Sequence, residues 1–255
     1  MAYDRDEFIR LLTDYYEFCN RIFWKATVRQ APPGGWPSIN HESIAGLAKN
    51  DTVIDLLRHL PYVDYSEQDL YFMPIILDET PIVDYRREDL QQLVRDGKIE
   101  GYVEPNNGGN PPIPPSCACI ATCLGRKGYY VVVDTDDGYV YWGDPNGQHD
   151  EPPTELNDVL DRYEGDSANY WRNSGVNVYR PADFFSLCKQ RFRELRWVGL
   201  GQWQMSAMRM GDEWDEVDED HLDLVEKMRA AGWPGDGEGG GWDRARFEAE
   251  VYTDD

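Results

Sequence analysis

Basic residues are scarce in this chain. Its 255 residues carry 25 Lys and Arg against 48 Asp and Glu, a formal net charge of −23. Such a surface repels phosphate backbones and anionic lipid, so neither nucleic acid nor a membrane surface is expected as a direct partner. Long apolar runs are absent as well: none approaches the roughly 18 residues that span a bilayer. The opening MAYDRDEFIRLL places acids where a secretory signal needs a basic region followed by an apolar one. Cysteine is limited to five residues, and three of them crowd into Cys117, Cys119 and Cys123. These features predict a reduced, intracellular protein, with the cytoplasm as the expected compartment and the nucleus left open.

Apolar and aromatic residues are plentiful by contrast. Hydrophobics make up 41% of the chain, with nine Trp and 16 Tyr, enough to exclude wholesale disorder and to bury a full core. Aromatics in this number either fill that core or leave several rings on a binding face. The charge is uneven: residues 212–255 hold 16 Asp and Glu against four Lys and Arg, a net −12. That half of the charge reads as solvated acidic helices, or as a surface for a basic protein partner.

Apolar spacing predicts helices over residues 4–24, 41–60, 87–96, 151–164, 181–197, 215–231 and 242–251. Strands are expected at 70–77, 81–85 and 118–124, followed by a hairpin. The hairpin is the clearest local signal. Tyr129–Val133 and Tyr139–Trp142 are β-branched and aromatic runs, and Asp137-Gly138 between them supplies the positive φ of a tight turn. Residues 104–116 are too rich in Pro and Gly for a regular element and read as a surface loop or lid. Repeated strand–helix–strand units are lacking, so the expected class is α+β, a central antiparallel sheet flanked by helices, with helical N- and C-terminal extensions. The expected division is residues 1–31, a helix packed on the core; 32–200, the core; and 201–255, an acidic helical extension. Its last part is semi-independent, beyond a glycine-rich link at 235–241.

Chemistry-bearing clusters are few. Cys117-x-Cys119-x3-Cys123 lacks the second ligand pair that zinc requires, and His149 and Cys188 stand alone, so no metal or other cofactor is expected. Cys119 or Cys123 with His149 and Asp144 or Asp150 could form a nucleophile, base and orienter, which keeps a thiol hydrolase as an alternative. Asp134, Asp136 and Asp137 lack calcium-loop spacing, and turn chemistry accounts for them.

Three blocks together resemble the SUKH superfamily, which includes fungal cell-wall-assembly regulators. They are Pro32-Pro33-Gly34-Gly35-Trp36-Pro37 leading into the following helix, the Tyr129–Asp144 hairpin, and Trp171 followed by the helix that starts Asp183-Phe184-Phe185. The likeness covers roughly residues 32–200, and the Gly232-Trp233-Pro234 tail is similar to uncharacterised filamentous-fungal proteins. The chain departs from the family pattern at Leu60-Pro61-Tyr62-Val63-Asp64-Tyr65 and in the distant Asn107-Gly108. The resemblance implies a binding or regulatory module without catalytic activity, since relatives include toxin-neutralising immunity proteins. An acidic mimic that fills a basic nucleic-acid-binding site is a further alternative. Trp36, Trp142, Asp144 and Trp171 are the candidate contact residues, aromatics beside acid on a sheet edge and its loops.

Overall fold

A computed structural model describes residues 2–65, 73–105, 112–123, 127–147, 149–173, 175–201, 203–208 and 217–252. The hairpin seeds the central sheet. Gly138 takes φ +76, as the Asp-Gly turn requires, and the Asp134 amide closes the loop onto the Tyr139 carbonyl. Strands β1 (Thr27–Arg29), β2 (Tyr62–Asp64), β3 (Ile75–Leu77) and β4 (Thr80–Pro81) form small pairs. Strands β5 (Cys117–Thr122), β6 (Tyr130–Asp134), β7 (Val140–Gly143) and β8 (Val176–Tyr179) form a four-stranded antiparallel sheet in that order. Every residue of those four strands is buried, because both faces are covered.

Alternation along the strands sorts the side chains. Cys117, Cys119, Val132, Asp134 and Tyr141 share one face by register; Val131, Val133, Val140 and Trp142 share the other. Helices α1 (Arg5–Ile22) and α4 (Pro181–Arg193) cover the Trp142 face, with Phe184 at 5.7 Å from Trp142 and Phe8 at 5.9 Å from Phe185. The expected class is what the structure has: α+β, an antiparallel central sheet, helices at both ends of the chain. The outer edge of β8 is sealed by side chains rather than by another strand. Thr154 donates to the Val178 carbonyl, and Asn157 both donates to Val176 and accepts from the Val178 amide. A capped edge cannot template pairing with another chain.

The helix expected over 151–164 is a 3-10 helix at Glu155–Tyr163, the strand expected at 81–85 shrinks to Thr80–Pro81, and two larger expectations need correction. The helix predicted over residues 41–60 forms only at α2 (Asp51–His59), capped by Asn50. Asn40 caps a turn, accepting from the amides of Glu42 and Ser43, and Ala48 turns left-handed at φ +51 before Lys49 runs inward. Gly46 allows the detour: a Cβ there would lie 2.5 Å from the Val94 carbonyl, on helix α3 (Glu88–Arg95).

The second correction concerns the tail. Strands β9 (Trp197–Gly199) and β10 (Met205–Ala207) pair, and helices α5 (Glu219–Ala230) and α6 (Arg244–Val251) follow. Val225, Met228, Trp233 and Phe247 belong to the same buried cluster as Phe8 and Trp142, so the described residues after 200 pack into the main core. The glycine-rich stretch is a docked loop, not a link. Arg193 reaches the Gly237 carbonyl, and the Glu238 carboxylate gathers Arg21, Lys189 and Arg193. Of the expected loop at 104–116 and strand at 70–77, residues 106–111 and 70–72 lie outside the described residues.

Candidate functional site

The structure separates the four candidate contact residues. Trp142 and Trp171 are core residues, 1% and 2% exposed. Trp142 stacks edge-on against Phe184, Trp197 and His149, and Trp171 packs between Tyr130 and Tyr141 on the opposite face of the sheet. Rings of this size bring their full area into the core, which is why neither is available to a partner. Asp144 is partly exposed and accepts the Asn146 amide at 2.6 Å, while its own amide bonds Gly175. It shapes a turn, away from both clefts described below.

Trp36 alone of the three indoles keeps an accessible ring. The loop that carries it is specified by glycine: Gly35 has φ +79, and a Cβ there would sit 2.8 Å from the Arg58 carbonyl. The Trp36 amide donates to that same carbonyl, and the indole N–H donates to Leu60 at 2.9 Å. The Arg86 guanidinium lies 4.8 Å over the indole and 5.1 Å over Tyr62. Asp84 holds Arg86 through two hydrogen bonds of 3.0 and 2.7 Å, and Asp64 adds a third at 3.0 Å. Burial works against the Asp64 charge, but hydrogen bonds from Arg29 and Arg86 win and hold its carboxyl below the ordinary range. The acids near Trp36 are thus paired with arginines. Asp64 also borders an open depression of about 550 Å³ lined by Asn20, Trp24, Lys25, Thr27 and Tyr65; Trp36 is not one of its walls and reaches it only through the Arg86–Asp64 contact.

A smaller, apolar cleft of about 170 Å³ opens between the first turns of α1 and α4. Sequence spacing gave no sign of it, because its walls come from the N-terminus, the hairpin turn and residues 180–182.

The thiol–imidazole alternative fails for Cys119 on geometry and for Cys123 on ionisation. Cys119 faces away from the Trp142 side, where His149 lies 4.5 Å from the Trp142 ring. The Cys119 thiol donates to the Ala121 carbonyl, and burial pushes it well above its usual range. Burial raises Cys123 to about 11 and lowers His149 to about 4, so both stay neutral near pH 7. All five cysteines are free thiols, and the described residues contain no cluster of three His, Cys, Asp or Glu suited to a metal.

One pairing escaped the sequence reading. Ser206 on β10 hydrogen-bonds His221 Nδ1 on α5 at 2.7 Å, and His221 Nε2 lies 2.9 Å from the Leu195 carbonyl. A carbonyl only accepts, so Nε2 carries the proton and Nδ1 takes the serine hydroxyl. Neither cleft reaches this pair, and its evident work is to fasten α5 to the β9–β10 hairpin. No helix among the described residues is long and apolar enough to cross a membrane. Comparison with known proteins finds no matching family model, no similar curated protein and no similar solved structure.

Proposed function

We propose that this chain is a protein-binding or regulatory module, with a protein partner that presents a basic surface and with Trp36 as an anchor of the contact. The observation that carries this reading is the fixed, partly exposed Trp36, clamped beneath Arg86 and tied to Leu60. Rigid Trp, Tyr and Arg clusters of this kind are what interface hot spots use. The net charge of −23 favours a basic partner and speeds its encounter. The SUKH-like blocks of the sequence point the same way, since that family binds and regulates. The hydrolase alternative has less support, because Cys119 lies on the opposite side of the sheet from His149 and burial keeps both Cys119 and Cys123 protonated.

The test is capture of a partner from the native host by the full chain, compared with Trp36→Ala and with Tyr170→Ala, an exposed aromatic elsewhere. Losing a hot-spot indole costs about 2 kcal/mol or more, roughly a thirtyfold loss of affinity. Trp36→Ala should lose a discrete basic protein that Tyr170→Ala retains, with both variants still folding cooperatively. Equal capture by both variants would remove Trp36 from the interface.

A further inference from the structure

We infer that the cleft between the first turns of α1 and α4 seats one apolar side chain of a cationic segment, an inference that rests on the reading of the chain as a binder of basic protein. Phe8, Leu11, Val133, Pro181 and Ala182, with Tyr3, supply an apolar lining. The volume of about 170 Å³ matches a single ring, since cavities of about 150 Å³ admit benzene.

The cleft is built before any partner arrives. Phe8 is packed against Phe185 on its inner side, and Tyr15 supports the same ring at 5.5 Å. Gly138 lets the hairpin turn press against the N-terminal segment: a Cβ at that position would lie 3.1 Å from the Tyr3 Cα, in a backbone at φ +76. A preformed wall lowers the ordering cost of binding.

The rim selects the charge of the occupant. Asp4 and Glu7 stand on the α1 side, while Arg180 on the α4 side leans toward Asp183 at 3.5 Å. Glu7 also takes two bonds from Arg10, and these hold its carboxyl below the usual range, so it stays ionised. Asp4 caps α1 through the Glu7 amide, and Glu7 is paired with Arg10 as Arg180 is with Asp183; the two rim carboxylates outnumber the one rim guanidinium and favour an apolar residue flanked by lysine or arginine. The overall charge of −23 acts in the same direction at longer range.

Three capped pentapeptides test this on the full chain by titration at about 0.15 M salt. One carries phenylalanine between two lysines on each side, one replaces the phenylalanine with alanine, and one replaces the lysines with glutamates. Burying the ring predicts that the first binds about tenfold or more tightly than the second. The glutamate peptide should not bind. Ala182→Trp, a change at an exposed position that fills the cleft, should abolish the preference for phenylalanine, and Glu7→Lys should weaken the lysine peptide. Equal binding of the phenylalanine and alanine peptides, preference for the glutamate peptide, or indifference to Ala182→Trp would each overturn the inference. Trp36→Ala should leave peptide binding intact. If Ala182→Trp keeps the captured partner and Trp36→Ala loses it, the cleft fails and the module reading stands; loss in neither variant defeats both.

Discussion

The indole N–H of Trp233 donates to the carbonyl of Phe192 at 2.8 Å, joining the segment after α5 to the last turn of α4. Trp233 is 3% exposed and packs edge-on against Phe18 of α1, and Trp242 and Phe247 continue the stack. Arg244 donates to the Asn20 carbonyl, which α1 leaves open at its C-terminal end, and to the Trp24 carbonyl just beyond it. The C-terminal region is therefore part of what holds α1 and α4 together. Trp233→Ala should cost about 3–5 kcal/mol by urea denaturation. A chain cut after residue 208 should lose cooperative unfolding altogether. A truncated chain that melts within a few degrees of the full one would restore the independent tail that the sequence suggested.

Why the tail was misjudged is a matter of composition. Seven residues with five glycines, 235–241, look like a flexible linker in sequence. Their order comes from partners far away in the chain: Arg21, Lys189 and Arg193, whose convergence on Glu238 no spacing rule reveals. The β5–β8 sheet was legible around its hairpin because β-branched runs and Asp-Gly are local signals. The α2 boundary was not, since it depends on Gly46 meeting Val94 and on Lys49 finding Glu104. Among the candidate contacts, only packing could tell Trp36 from Trp142 and Trp171; all three indoles carry the same apolar surface, and the fold buries two of them.

Lys49 and Glu104 form an ion pair with side chains 0% and 2% exposed, Nζ to Oε1 2.5 Å apart. Lys49 also donates to the Ile113 carbonyl, and Glu104 accepts the Ile113 amide, so the pair pins both ends of the stretch expected as a loop. Removing one partner strands a buried charge, and Lys49→Met should cost about 3–5 kcal/mol. Lys49→Met with Glu104→Leu should recover part of that loss. The pH dependence has a definite sign. Burial raises the Glu104 carboxyl above its ordinary 4.5, and Lys49 opposes the rise. A carboxyl raised in the folded state favours folding below the unfolded value, and that contribution is lost as the pH climbs through the folded value. Without Lys49 the rise grows. Lys49→Met should come closest to wild-type stability in acid and fall further behind as the pH rises from 4.5. A stability gap that is constant with pH would show that Glu104 ionises freely there.

The thiols give a direct check on catalytic chemistry. Cys19, Cys117, Cys119 and Cys188 are 0% exposed and Cys123 is 3% exposed. Burial lifts Cys117 to about 12 and Cys123 to about 11, and it drives Cys19, Cys119 and Cys188 upward too. The Arg172 guanidinium lies 3.2 Å from the Cys117 sulfur and favours the thiolate, but desolvation is the larger effect. Protonated, enclosed thiols are poor nucleophiles. A chromogenic aromatic disulfide added to the native protein should therefore release no thiolate on mixing. All five cysteines should react once denaturant unfolds the chain. Slow reaction in native buffer should track global unfolding and accelerate with added urea. If one thiol instead reacts at once, and Cys123→Ser or Cys119→Ser removes that phase, an activated cysteine exists and the hydrolase reading regains its ground.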